Sequence, residues 1–416
     1  MTTVTTPRFW AKKRRGTSLD KPVRQIAILA GVVYFIQGAL GVAGVALPLY
    51  LRGLGWSIGK IAQISALVGF PWIFKIFYGF LSDSFPLFGY RRKPYLIICS
   101  ILSSLGWFLL ITLPPRTSWI VLSLALANLG FAAVDVVTDG LIVEYSRGPL
   151  SSFFQSVAWG SRNVGAFISG YVGGILAHHW RHDLKPVFMI PVILPLLVIF
   201  ATFLARESKV EFKPSASFKT SLSRCWDIIK TDNMRWYMML LVVFSTGSLF
   251  GVPFFFFMRE TLGFDEDFLG LLNSLFSAGG VLGSVFYFLV LRKVPQEKLL
   301  THAIWINSLL TLACLLVHQK LMAVLLMSLG GTAACITMLC LVTASAALLH
   351  KTGVEGTFFA VLMGIFNSGQ IFFGFIGGKI YGALSLQTLI IVTGFFLLSG
   401  LIFVRKVRLY PGYYHI

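Results

Sequence analysis

The sequence predicts an all-α integral membrane protein with 12 transmembrane helices arranged as two six-helix halves. Three observations carry that expectation. Apolar runs of about 20 residues, the length a helix needs to cross ~30 Å of hydrocarbon, recur from end to end. Only 12% of the 416 residues are charged and 56% are hydrophobic, against roughly 25% charged in a soluble domain, and the mean hydropathy is +0.80. A glycine-rich pattern also returns at a constant offset in the second half of the chain.

The elements follow in order. Residues 1–25 form a basic N-tail, MTTVTTPRFWAKKRRG at its start. Span 1 covers 26–51 and is expected to end near Pro48; its apolar run is too long for a signal h-region, so no cleavable signal peptide is expected. Span 2 covers 58–82, carries Lys75 in its lower half and stops at Asp83. The turn that follows holds Pro86 and the cluster Arg91-Arg92-Lys93, which marks the cytoplasmic side. Span 3 is 94–113, and span 4 is 118–145 with Asp135, Asp139 and Glu144. Span 5 is 151–178 with Arg162; His178, His179 and His182 follow in an external loop, and span 6 is 184–205. Residues 206–233, the longest polar stretch, read as a cytoplasmic linker, with residues 226–229 amphipathic enough to lie along the inner face. Spans 7 to 12 cover 234–259, 265–291, 299–317, 320–350, 354–382 and 385–405, and 406–416 is a C-tail. The halves are therefore 26–205 and 234–405.

The halves repeat. N-V-G-A-F-I-S-G-Y-V-G-G from Asn163 aligns with N-S-G-Q-I-F-F-G-F-I-G-G from Asn367 at an offset of 204 residues. Asn163, Gly165, Gly170, Gly173 and Gly174 thus match Asn367, Gly369, Gly374, Gly377 and Gly378, and Pro48 and Pro253 stand 205 apart. Small residues let helices approach closely in lipid. A parallel 6+6 repeat is the signature of the major facilitator fold, whose substrate sits near the midplane between the halves.

The net charge of +19 follows from topology and implies no nucleic-acid partner. With both termini inside, 25 of the 35 basic residues lie in cytoplasmic segments or at their edges and 8 in external ones, which is the positive-inside bias of a cell (inner) membrane protein. Cys99, Cys225, Cys314, Cys335 and Cys340 lack metal or redox spacing and read as packing residues. With no nucleophile–base pair in view, neither a cofactor nor a metal is expected, and an enzyme is the disfavoured class.

The intramembrane charges are Lys75, Asp135, Asp139 and Arg162. At 1.5 Å per residue, Lys75 lies roughly 12 Å above the helix end at Asp83, Asp135 roughly 13–14 Å above Glu144, and Arg162 roughly 16–17 Å above Ser151. All approach the midplane, and Asp139 lies one turn shallower than Asp135 on the same face. Arg162 maps onto Phe366 in the second half, whose spans carry no charge at that depth. This asymmetry favours a substrate or coupling-ion site, because charge in hydrocarbon is costly and tends to mark function; the alternative is a set of charges that pair and lock the N-terminal bundle. Arg162, Asp135 and Lys75, with the amides Gln37, Asn273 and Gln370, are the substrate-binding candidates. Asp135 and Asp139 are the candidates for proton coupling. Trp72, Trp159 and Tyr34 offer a stacking wall. Asp83, Arg91, Arg92, Glu144 and Glu355 form a candidate gate. There Asp83 would face the start of helix 11 near Gly353, Glu144 would pair with Arg91 or Arg92, and Glu355 is either a first-turn acid or a partner of the cluster.

Four runs resemble the folate–biopterin transporter family: G-F-L-S-D-S-F-P-L-F-G-Y-R-R-K-P-Y from Gly79, D-V-V-T-D-G-L-I-V-E from Asp135, Q-S-V-A-W-G-S-R-N-V-G from Gln155 and E-G-T-F-F-A-V-L-M-G-I-F-N-S-G from Glu355. The helix 2 lysine, the D-x-x-x-D of helix 4 and the helix 5 arginine are shared with muropeptide permeases and acetyl-CoA transporters. The resemblance implies a transporter of the major facilitator superfamily that moves a folate or pterin; alternating access is the expected mechanism, a protonatable aspartate near cations makes protons the candidate coupling ion, and a monomer is expected. A carrier of another anionic conjugate, muropeptide or nucleotide-linked, and a non-transporting receptor or scaffold are the alternatives.

Overall fold

The computed structural model describes residues 20–145, 150–205, 207, 209, 218–291, 294–349 and 355–408. Most of the two tails and the loop around Gly353 lie outside the described residues. Twelve long helices follow one another among them: α1 (Lys21–Gly53), α2 (Ile58–Ser84), α3 (Lys93–Thr112), α4 (Thr117–Tyr145), α5 (Leu150–His179), α6 (Lys185–Leu204), α7 (Asp232–Thr261), α8 (Glu266–Leu289), α9 (Gln296–Leu316), α10 (Lys320–Leu349), α11 (Glu355–Ile380) and α12 (Leu386–Val404). Eleven of these are long and apolar enough to cross a membrane. The other, α5, is 30 residues long, but Gln155, Arg162, Asn163 and its glycines dilute its apolar character. A further helix, Phe218–Ile229, lies within the stretch that reads as a linker.

Each half is a bundle. In the first, α1 packs on α4, α5 and α6, and α3 packs on α4 and α6. In the second, α7 packs on α11 and α12, α8 on α10, and α9 on α10 and α12. The halves meet along two seams, α5 against α8 and α2 against α11. Glycine makes both possible. A Cβ on Gly270 of α8 would stand 2.5 Å from the Gly174 Cα of α5, and one on Gly59 of α2 would stand 2.5 Å from the Gly378 carbonyl oxygen of α11.

The repeat extends to the breaks in the helices. A 3₁₀ turn at Leu40–Val42 interrupts α1 and another at Ser245–Leu249 interrupts α7, beginning 205 residues apart. A third, Phe70–Phe74, divides α2 just before Lys75. Pro48, expected near the end of span 1, and its counterpart Pro253 lie inside the helical segments Ala43–Gly53 and Gly251–Phe256 that follow the breaks. A break one turn earlier frees the ladder where a proline N–H is missing.

The apolar cores are divided unevenly. At the end of the bundle away from the linker, one continuous core joins both halves, including Leu51, Ile61, Phe188, Phe254, Phe256, Leu269 and Leu389. Toward the linker there are two separate cores. One, within the first half, holds Leu29, Ile36, Phe131 and Phe154. The other, within the second, holds Tyr237, Leu240, Ile304 and Phe358. The halves are thus fused at the far end and independently packed at the linker end.

Candidate functional site

The 3₁₀ turn in α2 delivers Lys75 to the inside of the first half. Its ammonium lies 2.6 Å from Asp135 Oδ2 on α4, while Gln37 Nε2 of α1 donates to Asp135 Oδ1 at 2.9 Å. Both carboxylate oxygens of Asp135 are therefore engaged, and the side chain is only 4% exposed. One turn along α4, Asp139 accepts a hydrogen bond from the Tyr34 hydroxyl of α1 through Oδ1. Asp139 has no salt bridge among the described residues, and its second oxygen has no hydrogen-bond donor there.

Arg162 also makes no salt bridge among the described residues. Its guanidinium stands 5.4 Å from the Trp159 ring centroid, one turn away on α5, and it is half-buried. The neighbouring Asn163 is buried, with its Oδ1 3.5 Å from where a Cβ on Gly280 of α8 would stand. Its repeat mate Asn367 donates to the Trp72 carbonyl of α2 at 3.5 Å. The two matched asparagines thus cross to opposite halves at the two seams. Trp72 is oriented by a 2.8 Å bond from its indole N–H to Asn128 Oδ1 of α4, and Lys75 Nζ stands 5.0 Å from its ring centroid. Asn273 and Gln370 are exposed and outside this cluster; the Asn273 amide lies 3.9 Å from where a Cβ on Gly44 of α1 would stand.

The charges expected to meet at one depth therefore separate into three parts. Asp135 is a carboxylate already held by a cation and an amide, Asp139 is a carboxylate held by a phenol, and Arg162 is a cation against an indole. Asn128, which aims Trp72, was not singled out from the sequence; its i−4 bond to the Leu124 carbonyl makes it read as an ordinary helix amide.

At the linker end, Arg92 is the hub. It donates to Ser82 Oγ at 2.7 Å, Asp83 Oδ1 at 2.5 Å and Glu144 Oε1 at 2.9 Å. Asp83 thus pairs within its own half among the described residues, and the chain around Gly353 that it was expected to face lies outside them. Arg91 contributes its backbone: Glu207 accepts the N–H groups of Arg91, Arg92 and Lys93, at 2.9, 2.9 and 3.0 Å. This caps the orphan donors at the start of α3. Glu355 opens α11, and its side chain lies outside the described residues.

Polar side-chain pairs between the halves stand at the far end. Arg52 and Glu260 form a two-bond pair at 2.6 and 3.1 Å between α1 and α7. Glu266 of α8 receives His178 of α5 at 3.2 Å and also Arg259. A π-helical turn, Phe257–Thr261, aims Arg259 and Glu260 at these different partners. Nothing in the spacing of these residues announces the pairs, because the partners lie 208 and 88 positions apart.

A family model, the BT1 family, matches residues 37–409. A folate-biopterin transporter of Synechocystis sp. is 30% identical over 360 residues, covering 82% of this chain and 71% of that protein. Probable folate-biopterin transporter 4 of Arabidopsis thaliana is 25% identical, covering 86% of this chain and 89% of that protein. Among solved structures, the nucleoside transporter NupG superposes with a TM-score of 0.70 at 13% identity, over 94% of this chain and 100% of that one. That likeness shows a shared fold, the major facilitator arrangement expected from the 6+6 repeat.

Proposed function

Because this chain belongs to the BT1 family, we propose that it carries folate or pterin molecules across a membrane by alternating access, binding them at the midplane cluster of the first half. The reading is carried by Arg162, a cation in a membrane helix that faces an indole and has no carboxylate partner among the described residues. Such a charge is costly unless something anionic completes it. A folate glutamate tail carries carboxylates, and a guanidinium binds a carboxylate through two parallel hydrogen bonds. Trp159 and Trp72, each with a cation beside its ring, offer flat faces to a fused heterocycle.

The two aspartates take different parts. Asp135, with both oxygens occupied by Lys75 and Gln37, holds α1, α2 and α4 together. Asp139, with one oxygen free of donors among the described residues, is the group that accepts a proton or the amino and ring N–H donors of a pterin. The division of the cores, joined at the far end and separate at the linker end, supports a state open toward the linker. The basic bias of the linker, tails and neighbouring loops supports a cytoplasmic position for that side. On this reading Arg52–Glu260 and His178–Glu266 close the external side, and the Arg92 lattice braces the first half through the movement.

Vesicles containing the purified protein test the reading by uptake of labelled folate and labelled biopterin, with and without an imposed proton gradient. Saturable uptake of one substrate, competed by the other and driven further by the gradient, is expected. Uptake no greater than in empty vesicles for both compounds would reject the substrate class and leave the fold intact.

A further inference from the structure

The helix Phe218–Ile229 has two unlike faces. Cys225 is buried, and Ile228 and Ile229 pack against the core of the second half. Burial pushes the Cys225 thiol up from its ordinary value, so it acts as an inert anchor. On the other face Arg224 is exposed and Trp226 is 58% exposed. Lys230, at the end of the same helix, places its ammonium 5.6 Å from the Trp226 ring centroid.

The ends of α7 and α12 repeat the pairing of cation and indole. Trp236, in the first turns of α7, stacks on Phe403 of α12 with centroids 6.0 Å apart, and Lys406 Nζ lies 4.0 Å from the Trp236 ring centroid. Arg405 and Lys406 are exposed. The Asn233 side chain holds both backbone groups of Arg408, accepting its N–H at 2.7 Å and donating to its carbonyl at 3.1 Å. That clamp ties the chain leaving α12 to the start of α7. Among the described residues of this helix and of the ends of α7 and α12, the acids are Asp227 and Asp232; Asp232 lies 3.6 Å from Arg235 and is answered by it, and Asp227 stands against Arg224, Lys230, Arg405 and Lys406.

We propose that this surface, formed by the helix Phe218–Ile229 and the linker-side ends of α7 and α12, docks the headgroups of anionic phospholipids. Indoles are favoured where hydrocarbon meets water, because the ring is apolar and its N–H seeks a partner. Trp236 stands at such a boundary in the first turns of α7, and Trp226 faces outward on the helix that precedes it. Cations clustered at that level attract a phosphodiester, and an amphipathic helix carrying them lies in the interface plane. A soluble acidic partner would satisfy the charges but would leave Trp226 without its apolar environment. Lipid satisfies both, and it holds the segment that connects the halves against the bilayer while they move.

Native mass spectrometry of the full chain, released from bilayers of phosphatidylcholine mixed with phosphatidylglycerol, counts the lipids that stay bound. Thermal unfolding in the two pure lipids gives a second readout. Two disjoint variant pairs are compared with wild type, Lys230→Ser with Lys406→Ser and Arg224→Ser with Arg405→Ser. A far-end pair, Arg181→Ser with Lys185→Ser, is the control. Wild type and control are expected to retain phosphatidylglycerol preferentially and to be stabilised by it, and each linker-side pair to lose at least half of both effects. Equal retention of the two lipids by wild type, or phosphatidylglycerol retention unchanged in both linker-side pairs, would overturn the proposal. These outcomes are independent of the substrate, because neither readout uses transport.

Discussion

Asp135 and Asp139 stand one helical turn apart on α4, yet their surroundings assign them different work. Asp135 is closed by Lys75 and Gln37, whereas Asp139 has only Tyr34 as a hydrogen-bond partner among the described residues. Asp139→Asn is therefore expected to abolish gradient-driven accumulation while leaving substrate exchange at equilibrium within a few-fold of wild type. Parallel loss of both in counterflow and uptake assays would place the residue in binding instead. Lys75→Met strands a buried carboxylate and should cost about 3–5 kcal/mol. The double variant Lys75→Met with Asp135→Asn removes both charges and should recover at least half of that in thermal unfolding. A double variant as unstable as the single one would mean that Lys75 matters through packing. The depth of these charges was legible in the sequence, because rise per residue and helix ends set it. Their azimuth was not. A membrane helix is apolar on every side, so no stripe records which face turns inward, and the sequence does not show that, among the described residues, the four charges comprise a salt-bridged pair, a tyrosine-held acid and an arginine without a salt bridge.

The same limit operates among the elements. Glycines at 165, 170, 173 and 174 and their mates were visible as a repeat, and small residues at helix seams are a general expectation. Their partners were not visible. Gly174 meets Gly270, which belongs to no repeated motif. Gly270→Ala would drive a Cβ into the α5 backbone, which cannot yield as a side-chain tip can. A loss of about 1–3 kcal/mol is expected, read as a lower thermal midpoint. Gly160→Ala on α5, where a Cβ meets nothing within 4 Å, is the control, and equal effects at the two sites would contradict the seam. Pro48 and Pro253 taught the converse lesson. Their spacing marked the repeat correctly, but the helices run past them to Gly53 and Thr261 because each is preceded by a 3₁₀ break. The π turn that closes α7 has no counterpart in the residue pattern, although it sets the partners of both Arg259 and Glu260.

For the whole molecule, the count of spans and the split into halves could be read from hydropathy and the repeat. Which end is closed could not, because one sequence serves both ends of an alternating cycle and only packing distinguishes the states. The single far-end core and the two linker-end cores favour a state open toward the linker. The role of Arg162 is the centre of the account. Binding of labelled folate to the purified protein, in wild type and Arg162→Ala, tests it most directly. Loss of a bidentate charge-assisted contact should weaken folate roughly 10–100-fold, while a pterin without the carboxylate tail is weakened only a few-fold. Folate affinity unchanged in Arg162→Ala, in a variant that unfolds at the wild-type temperature, would contradict it.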